Sequence, residues 1–313
     1  MVPTMITLSI NLSYLCNFNC DFCYLTPSQL HDSTKLPLER LDQILRDITA
    51  HTTIGHVDMY GGEVSILPEA YYREAIAVIR RYHTGTINVV TNFLRPSHHL
   101  WEDPNTTVSV SYDFECRERH TIVRNNMVNS PIDLHVLTLA TPCVMAGNVD
   151  DMIDQLNAIP AVKSVELKPY STNQANQHSC THADFEQFVR RWITSPITKR
   201  FTLTNEQQLR AVFYGQRNSF SNDHLYITPQ GTLAVLEFDL NDNEFFKPLT
   251  SYEQYVDWTL LERNRVFSNQ YCSKCPYLGR CLTEHLRDVK NMDHSCNGYY
   301  QLIEWYSRER MEG

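Results

Sequence analysis

No apolar run in this 313-residue chain approaches the roughly 18 residues that a membrane-spanning helix needs, so no membrane partner is expected. The N-terminus, Met1 to Ile10, also lacks a basic segment ahead of a long apolar core, and no export signal is read there. Basic charge is in deficit, with 27 Lys and Arg against 36 Asp and Glu and a formal net charge of −9. A free-standing nucleic-acid binder usually carries a basic face, so nucleic acid is a disfavoured partner, and the expected location is the cytoplasm. Apolar residues are not scarce. They make up 42% of the chain, enough for one large domain and a smaller one. Ten cysteines in a chain without an export signal point to metal ligands before disulfides. Their clustering at 16–23 and 272–296 agrees.

The first cluster, Cys16, Cys20 and Cys23, follows an apolar strand-like run from Ile6 to Leu15. Three thiolates can hold three irons of a [4Fe-4S] cubane and leave the fourth iron open to an outside ligand. Zinc prefers four ligands, commonly from paired knuckles, and an odd number suits disulfides poorly. A second motif, Tyr60-Gly61-Gly62-Glu63, follows the apolar segment His56 to Tyr60. Its glycines allow close backbone approach to a ligand, and Glu63 offers a carboxylate to an ammonium group.

The run Cys16-Asn17-Phe18-Asn19-Cys20-Asp21-Phe22-Cys23 resembles the CxxxCxxC signature of the radical S-adenosylmethionine (SAM) superfamily. Gly61, Gly62 and Glu63 resemble that family's GGE element. The resemblance implies that SAM chelates the open iron and is reductively cleaved to a 5′-deoxyadenosyl radical. It also implies that Phe22 packs by the adenine and that the GGE element binds the SAM amino group. A flavodoxin or ferredoxin is the kind of electron donor such chemistry needs.

Short β-branched segments alternate with helical ones from about residue 5 to 195. The expected strands are Ile6 to Leu12, His56 to Tyr60, Thr86 to Thr91, Thr107 to Tyr112, Asp133 to Leu139 and Ser164 to Lys168. Helical periodicity places helices over Leu38 to Ile48, Tyr71 to Tyr82 and Val149 to Leu156, the last opened by Asn148 as N-cap. Such alternation predicts an α/β fold with a parallel sheet, and six strands fit the partial (β/α)6 TIM-like barrel that the resemblance implies. Reactive groups then gather at the C-terminal strand ends. Asn92, Ser111 and Lys168 are candidate cofactor contacts there, and Asp113 and Tyr170 candidate catalytic groups. Cys116 and Cys143, in the loops after strands four and five, are read either as buried small side chains or as thiols near the radical.

A helix carrying Phe185, Phe188, Val189, Trp192 and Ile193 closes the barrel, and a polar stretch puts the domain boundary near 200, giving 1–200 and 201–313. A hairpin follows: Leu225 to Ile227, a turn at Thr228-Pro229-Gln230-Gly231, then Leu233 to Val235. Cys272, Cys275, Cys281 and Cys296 read as four soft ligands for zinc or a fully ligated iron-sulfur cluster. With the hairpin they resemble the SPASM domain of many radical SAM enzymes, a small cluster-binding domain with a β-hairpin and helices. Three of that family's cysteine positions are absent: none lies between Tyr214 and Asp223, Leu236 stands at one, and His285 at another. The resemblance implies that the auxiliary cluster nearer the active site is lost, while the outer auxiliary [4Fe-4S] cluster is kept by Cys272, Cys275, Cys281 and Cys296.

The SPASM-like tail favours a ribosomally made peptide substrate, crosslinked or otherwise matured at an unactivated C–H bond. The alternative is a small-molecule or nucleotide-derived substrate held by strand-end groups such as Asp113, Lys168 and Tyr170. A non-catalytic scaffold has no use for an open iron. Because the barrel starts within about five residues of Met1, room for an N-terminal leader-binding domain is not expected, and a separate leader-peptide recognition protein becomes a candidate partner.

Overall fold

The computed structural model describes residues 5–170, 180–215, 224–236, 246–281, 296 and 299–311. Seven parallel strands run across its centre: β1 (Met5–Asn11), β2 (Thr53–Tyr60), β3 (Ile87–Thr91), β4 (Thr106–Ser111), β5 (Leu134–Ala140), β6 (Val162–Pro169) and the short β7 (Thr202–Leu203). The connections carry helices α1 (Pro27–Leu30), α2 (Leu38–Thr49), α3 (Glu69–Arg80), α4 (His120–Val128), α5 (Pro142–Ala146), α6 (Val149–Asn157), α7 (His182–Thr194) and α8 (Thr204–Phe213). This is the α/β, TIM-like partial barrel that the strand and helix periodicities anticipate. Its boundaries fall within a few residues of expectation.

The chain's own chemistry accounts for the elements. Along β2, Ile54, Val57 and Met59 are buried while His56, Asp58 and Tyr60 face the other way and are only half-buried, the period-two alternation of a strand with one packed face. The apolar face meets Leu41, Leu45 and Ile48 of α2 and Tyr72, Ala75 and Ile79 of α3 in one core, whereas β4 to β7 share a second core with α6, α7 and α8. Full burial of each such side chain stabilises the fold by about 1.5–3 kcal/mol. Asn148 caps α6 as expected, its side chain accepting from Asp150 N at 3.0 Å.

The C-terminal third departs from a separate small domain. β8 (His224–Ile227) pairs parallel with β1, and β9 (Leu233–Leu236) and β10 (Phe246–Leu249) continue antiparallel, so one ten-stranded sheet runs β10-β9-β8-β1-β2-β3-β4-β5-β6-β7. The hairpin turn is as expected, with Gly231 at φ +74° donating to Thr228 O at 2.9 Å. Its strands, however, extend the barrel sheet. α9 (Tyr252–Ser268) then lays Tyr252, Tyr255 and Trp258 on the β1–β3 core, and α10 (Tyr300–Tyr306) places Leu302, Ile303 and Tyr306 in the β4–β7 core. The boundary expected near 200 is therefore no break in the sheet or in either core.

Candidate active site

The cysteine loop leaves the C-terminal end of β1 and is held down by its own backbone: Cys16 N donates to Leu30 O at 3.0 Å and Cys23 N to Cys20 O at 3.1 Å. Two further amides point at sulfur, Phe18 N to Cys16 Sγ and Leu25 N to Cys23 Sγ, each at 3.4 Å. Cys16, Cys20 and Cys23 are half-buried and belong to no disulfide. Burial pushes each up to about 11, and the Arg117 guanidinium opposes that rise at all three.

The Gly61-Gly62-Glu63 segment is strapped to the strand end beside it. Gly62 N donates to Ser13 O at 3.0 Å and Glu63 N to Leu15 O at 2.9 Å. A Cβ on Gly62 would lie 2.2 Å from Leu15 O and 2.3 Å from Tyr14 O, and Gly61 has φ +121°. The glycines are thus required first by the approach of the chain to itself. The Glu63 carboxylate, 2% exposed, accepts from Ser65 N (2.9 Å), the Thr91 hydroxyl (2.6 Å) and Asn92 N (2.6 Å), which uses three of about four lone-pair sites. Asn92 in turn donates from Nδ2 to Asn17 Oδ1 in the cysteine loop at 2.7 Å. Beneath the glycines, the Asn11 side chain is fully buried, and its amide oxygen and nitrogen have no hydrogen-bond partner among the described residues. Asn11, which lay inside an expected strand and was not singled out in the sequence, ends β1 here with its side-chain amide buried.

Beyond β4, Asp113 is fully buried. Its Oδ1 accepts from Leu139 N at 2.7 Å, and its Oδ2 accepts from Arg117 Nε at 2.8 Å and NH2 at 2.6 Å. Both oxygens of Asp113, expected as a catalytic group, are thus engaged within the protein. Arg117 itself, missed in the sequence, lies over the Phe22 ring at 5.2 Å from the centroid. Burial works against its charge, but Asp113 and the cysteines outweigh this and hold its pKa above the ordinary arginine value. Ser111 ends β4 half-buried, and Lys168 on β6 lies 3.0 Å from Glu166 Oε1. Tyr170 is buried just past the same strand, and burial raises its hydroxyl pKa. Cys116 and Cys143 are joined in a disulfide with Cα atoms 5.9 Å apart, so neither is the free thiol that one reading allowed.

The C-terminal cysteines converge as well. Cys272 is pushed up to about 11 by burial and by the closeness of Cys296, Cys281 and Cys275. Tyr277 N donates to Cys275 Sγ at 3.4 Å, and Cys272 and Cys296 both pack on Val266. Leu236 ends β9, whereas His285 and residues 216–223 lie outside the described residues.

Both groups of thiols fit iron-sulfur ligation in donor type and surroundings. Backbone amides donate to sulfur in both, two in the first group and one in the second, one of the features that tunes such clusters. Among the described residues, no three or more His, Cys, Asp or Glu are grouped so as to hold a single metal ion.

Comparison with known proteins agrees. Residues 10–111 match the Radical SAM superfamily, a segment spanning the cysteine loop, the Gly-Gly-Glu turn and the ends of β3 and β4. By fold, the chain is similar to anSMEcpe with bound AdoMet (TM-score 0.65, 12% identity, 98% of each chain). It is also similar to Streptococcus suis SuiB bound to S-adenosylmethionine (TM-score 0.61, 16% identity, 88% of this chain and 72% of that one). A probable GTP 3′,8-cyclase of Thermoplasma volcanium is 27% identical over 88 residues, 28% of this chain and about a quarter, 26%, of that relative's length. The chain thus carries a radical SAM domain over residues 10–111, on a fold similar to those of SAM-bound proteins.

Proposed function

We propose that this enzyme modifies a peptide at an unactivated C–H bond. The reading is carried by one observation: the fold, C-terminal third included, is shared over 98% of both chains with anSMEcpe bound to AdoMet and the Cp18Cys peptide (TM-score 0.62, 12% identity). The similar fold of SuiB bound to its precursor peptide SuiA (TM-score 0.62, 16% identity) supports it. When bound, the cluster and SAM together supply a 5′-deoxyadenosyl radical, and the protein's share is to hold, orient and shield. Cys16, Cys20 and Cys23 are the ligands of the site-differentiated cluster. The Gly61–Glu63 segment, Asn11, Asn92, Ser111 and Lys168 surround the place for SAM, with Phe22 as the aromatic neighbour of its base. Tyr24 and Tyr60 stack at 6.1 Å beside the glycine turn. Cys272, Cys275, Cys281 and Cys296 hold an auxiliary [4Fe-4S] cluster that staples the C-terminal segment to the barrel.

A nucleotide substrate is the second reading, favoured by the short match to the GTP 3′,8-cyclase. A triphosphate calls for several cations in concert. Here Arg117 is clamped by Asp113 and Lys168 sits beside Glu166, so the strand ends present both signs of charge, which suits a mixed-polarity peptide better. The test is anaerobic incubation of the reconstituted protein with SAM and dithionite. 5′-Deoxyadenosine is expected, together with a mass change in a peptide encoded beside the gene. Turnover of nucleoside triphosphates with every such peptide unchanged would overturn the peptide reading.

A further inference from the structure

The segment after β4 delivers a charge to the cysteine loop that the motif spacing does not announce. Arg117 is only 11% exposed, and its partner Asp113 is fully enclosed. The carboxylate is itself fixed by Leu139 N from the neighbouring strand at 2.7 Å, so the guanidinium has little freedom to move. Its guanidinium carbon lies over the ring of Phe22, inside the Cys20–Cys23 span, 5.2 Å from the centroid. The next residue, Glu118, accepts from Asn19 N at 2.5 Å on the other side of the same loop. Arg117 lies over Phe22, between Cys20 and Cys23, while the Asp113 Oδ1 is turned to Leu139 N of β5. The positive end of the pair therefore faces the sulfurs and the negative end faces β5.

We propose that Arg117 is a positioning residue of the radical SAM centre: clamped by Asp113 against Phe22, it holds a fixed positive charge beside the cysteine loop and raises the reduction potential of the cluster bound there. Reduction adds one electron to the cluster, and a nearby cation favours the more negative state, all the more strongly where burial limits solvent screening. The proposal rests on the reading that Cys16, Cys20 and Cys23 ligate that cluster.

The test compares midpoint potentials from EPR-monitored redox titration of the holoenzyme without SAM. Asp113→Asn removes the counter-charge and leaves Leu139 N an acceptor. Adding Arg117→Gln to it removes only the cation. The double variant is expected to need at least a tenfold more reducing poise than Asp113→Asn for the same reduced fraction, about 59 mV for a one-electron couple. Arg117→Lys, which keeps the charge, is expected to stay near the unaltered enzyme. Equal potentials in Asp113→Asn and the double variant, or a shift of opposite sign, would overturn the proposal. Should the double variant not retain iron, the same comparison is made between Arg117→Lys and Arg117→Gln in the otherwise unaltered chain, and equal potentials there overturn it too. Failure of the unaltered enzyme to bind any reducible cluster would instead overturn the ligand assignment itself.

Discussion

Gly62→Ala is a one-methyl change whose cost follows from backbone geometry. The new Cβ would sit 2.2 Å from Leu15 O, 2.3 Å from Tyr14 O and 2.5 Å from the Tyr14 carbonyl carbon. None of these is a side-chain tip that can swing aside, so the β2 end and the cysteine loop must part. Overpacking of this kind costs about 1–3 kcal/mol. Lengthening the hydrogen bonds from Gly62 N to Ser13 O and from Glu63 N to Leu15 O forfeits about 1 kcal/mol each. The sum is about 3–5 kcal/mol, a large part of a typical total stability. With an unfolding entropy of about 2.1 cal/mol/K per residue, a chain of 313 residues should lose roughly 4–8 °C in Tm. Gly55→Ala is the control. There the added Cβ meets only Cγ and Sδ of Met5, a flexible side chain 59% exposed, and Tm should hold within about 1 °C. Differential scanning calorimetry of both variants decides the matter. If Gly62→Ala melts with the unaltered protein, the strapping of the glycine turn to the cysteine loop is not what holds this corner.

Glu63→Gln places amide hydrogens among three donors, Ser65 N, the Thr91 hydroxyl and Asn92 N. It should lower stability by about 2–3 kcal/mol in denaturant titration, and an unchanged midpoint would refute the geometry. Iron and sulfide analysis should give about eight of each per chain for two cubanes, and about four after Cys272→Ser; about twelve in the unaltered protein would contradict the loss of the inner auxiliary site. Alkylation before and after reduction should show two more labelled cysteines after reduction, Cys116 and Cys143. Closing their loop, with a separation of 27 residues, should contribute about 3.5 kcal/mol of stability that Cys116→Ser forfeits. The hydrogen bond to Asp58 raises the His56 pKa, with burial opposing it, so Asp58→Asn should lower the His56 titration midpoint seen by NMR. The pair's stabilisation is fully present below the ordinary histidine pKa, while Asp58 stays ionised, and fades as pH rises through the raised one. An unmoved midpoint would show that the contact does not form.

Local signals carried the barrel, and distant ones did not. Strands such as Leu134–Ala140 and helices such as Leu38–Thr49 were legible because burial imposes a period of 2 or 3.6 on apolar side chains within a single window. The cysteine spacing and the Gly-Gly-Glu turn were legible because their chemistry is written in contiguous residues. The pairing of β8 with β1 joins Ser9 to Tyr226 across more than two hundred residues of chain, and no periodicity encodes a partner at that separation. For the same reason the hairpin read as a separate domain. Arg117 escaped notice because an Asp and an Arg four apart are ordinary on any surface; what sets this pair apart is burial, which only packing reveals. The disulfide was illegible because cysteine spacing does not give connectivity. Glu63 was recognised as a carboxylate for an ammonium group, but nothing in the motif tells that Thr91 and Asn92 come to meet it.

These long-range contacts share a direction. Gly62 and Glu63 at the end of β2 hold the backbone of Ser13 and Leu15; Asn92 at the end of β3 holds both Glu63 and Asn17; Glu118, after β4, holds Asn19; and Arg117 covers Phe22. The cysteine loop has little core of its own, yet it is tethered from three successive strand ends, and the hydrogen bonds of Glu63 and Asn92 among these tethers are buried or partly buried, so that their loss leaves an uncompensated group. A loop fixed in this way keeps its three sulfurs in one arrangement whether or not ligand is present, so little of the binding energy of cluster and SAM goes into ordering it. It follows that substitutions at Asn92 or Glu118, which touch no sulfur, should weaken cluster retention more than substitutions at exposed positions within the loop such as Asn19 or Asp21, because the former release the backbone that places all three cysteines and the latter release only a side chain.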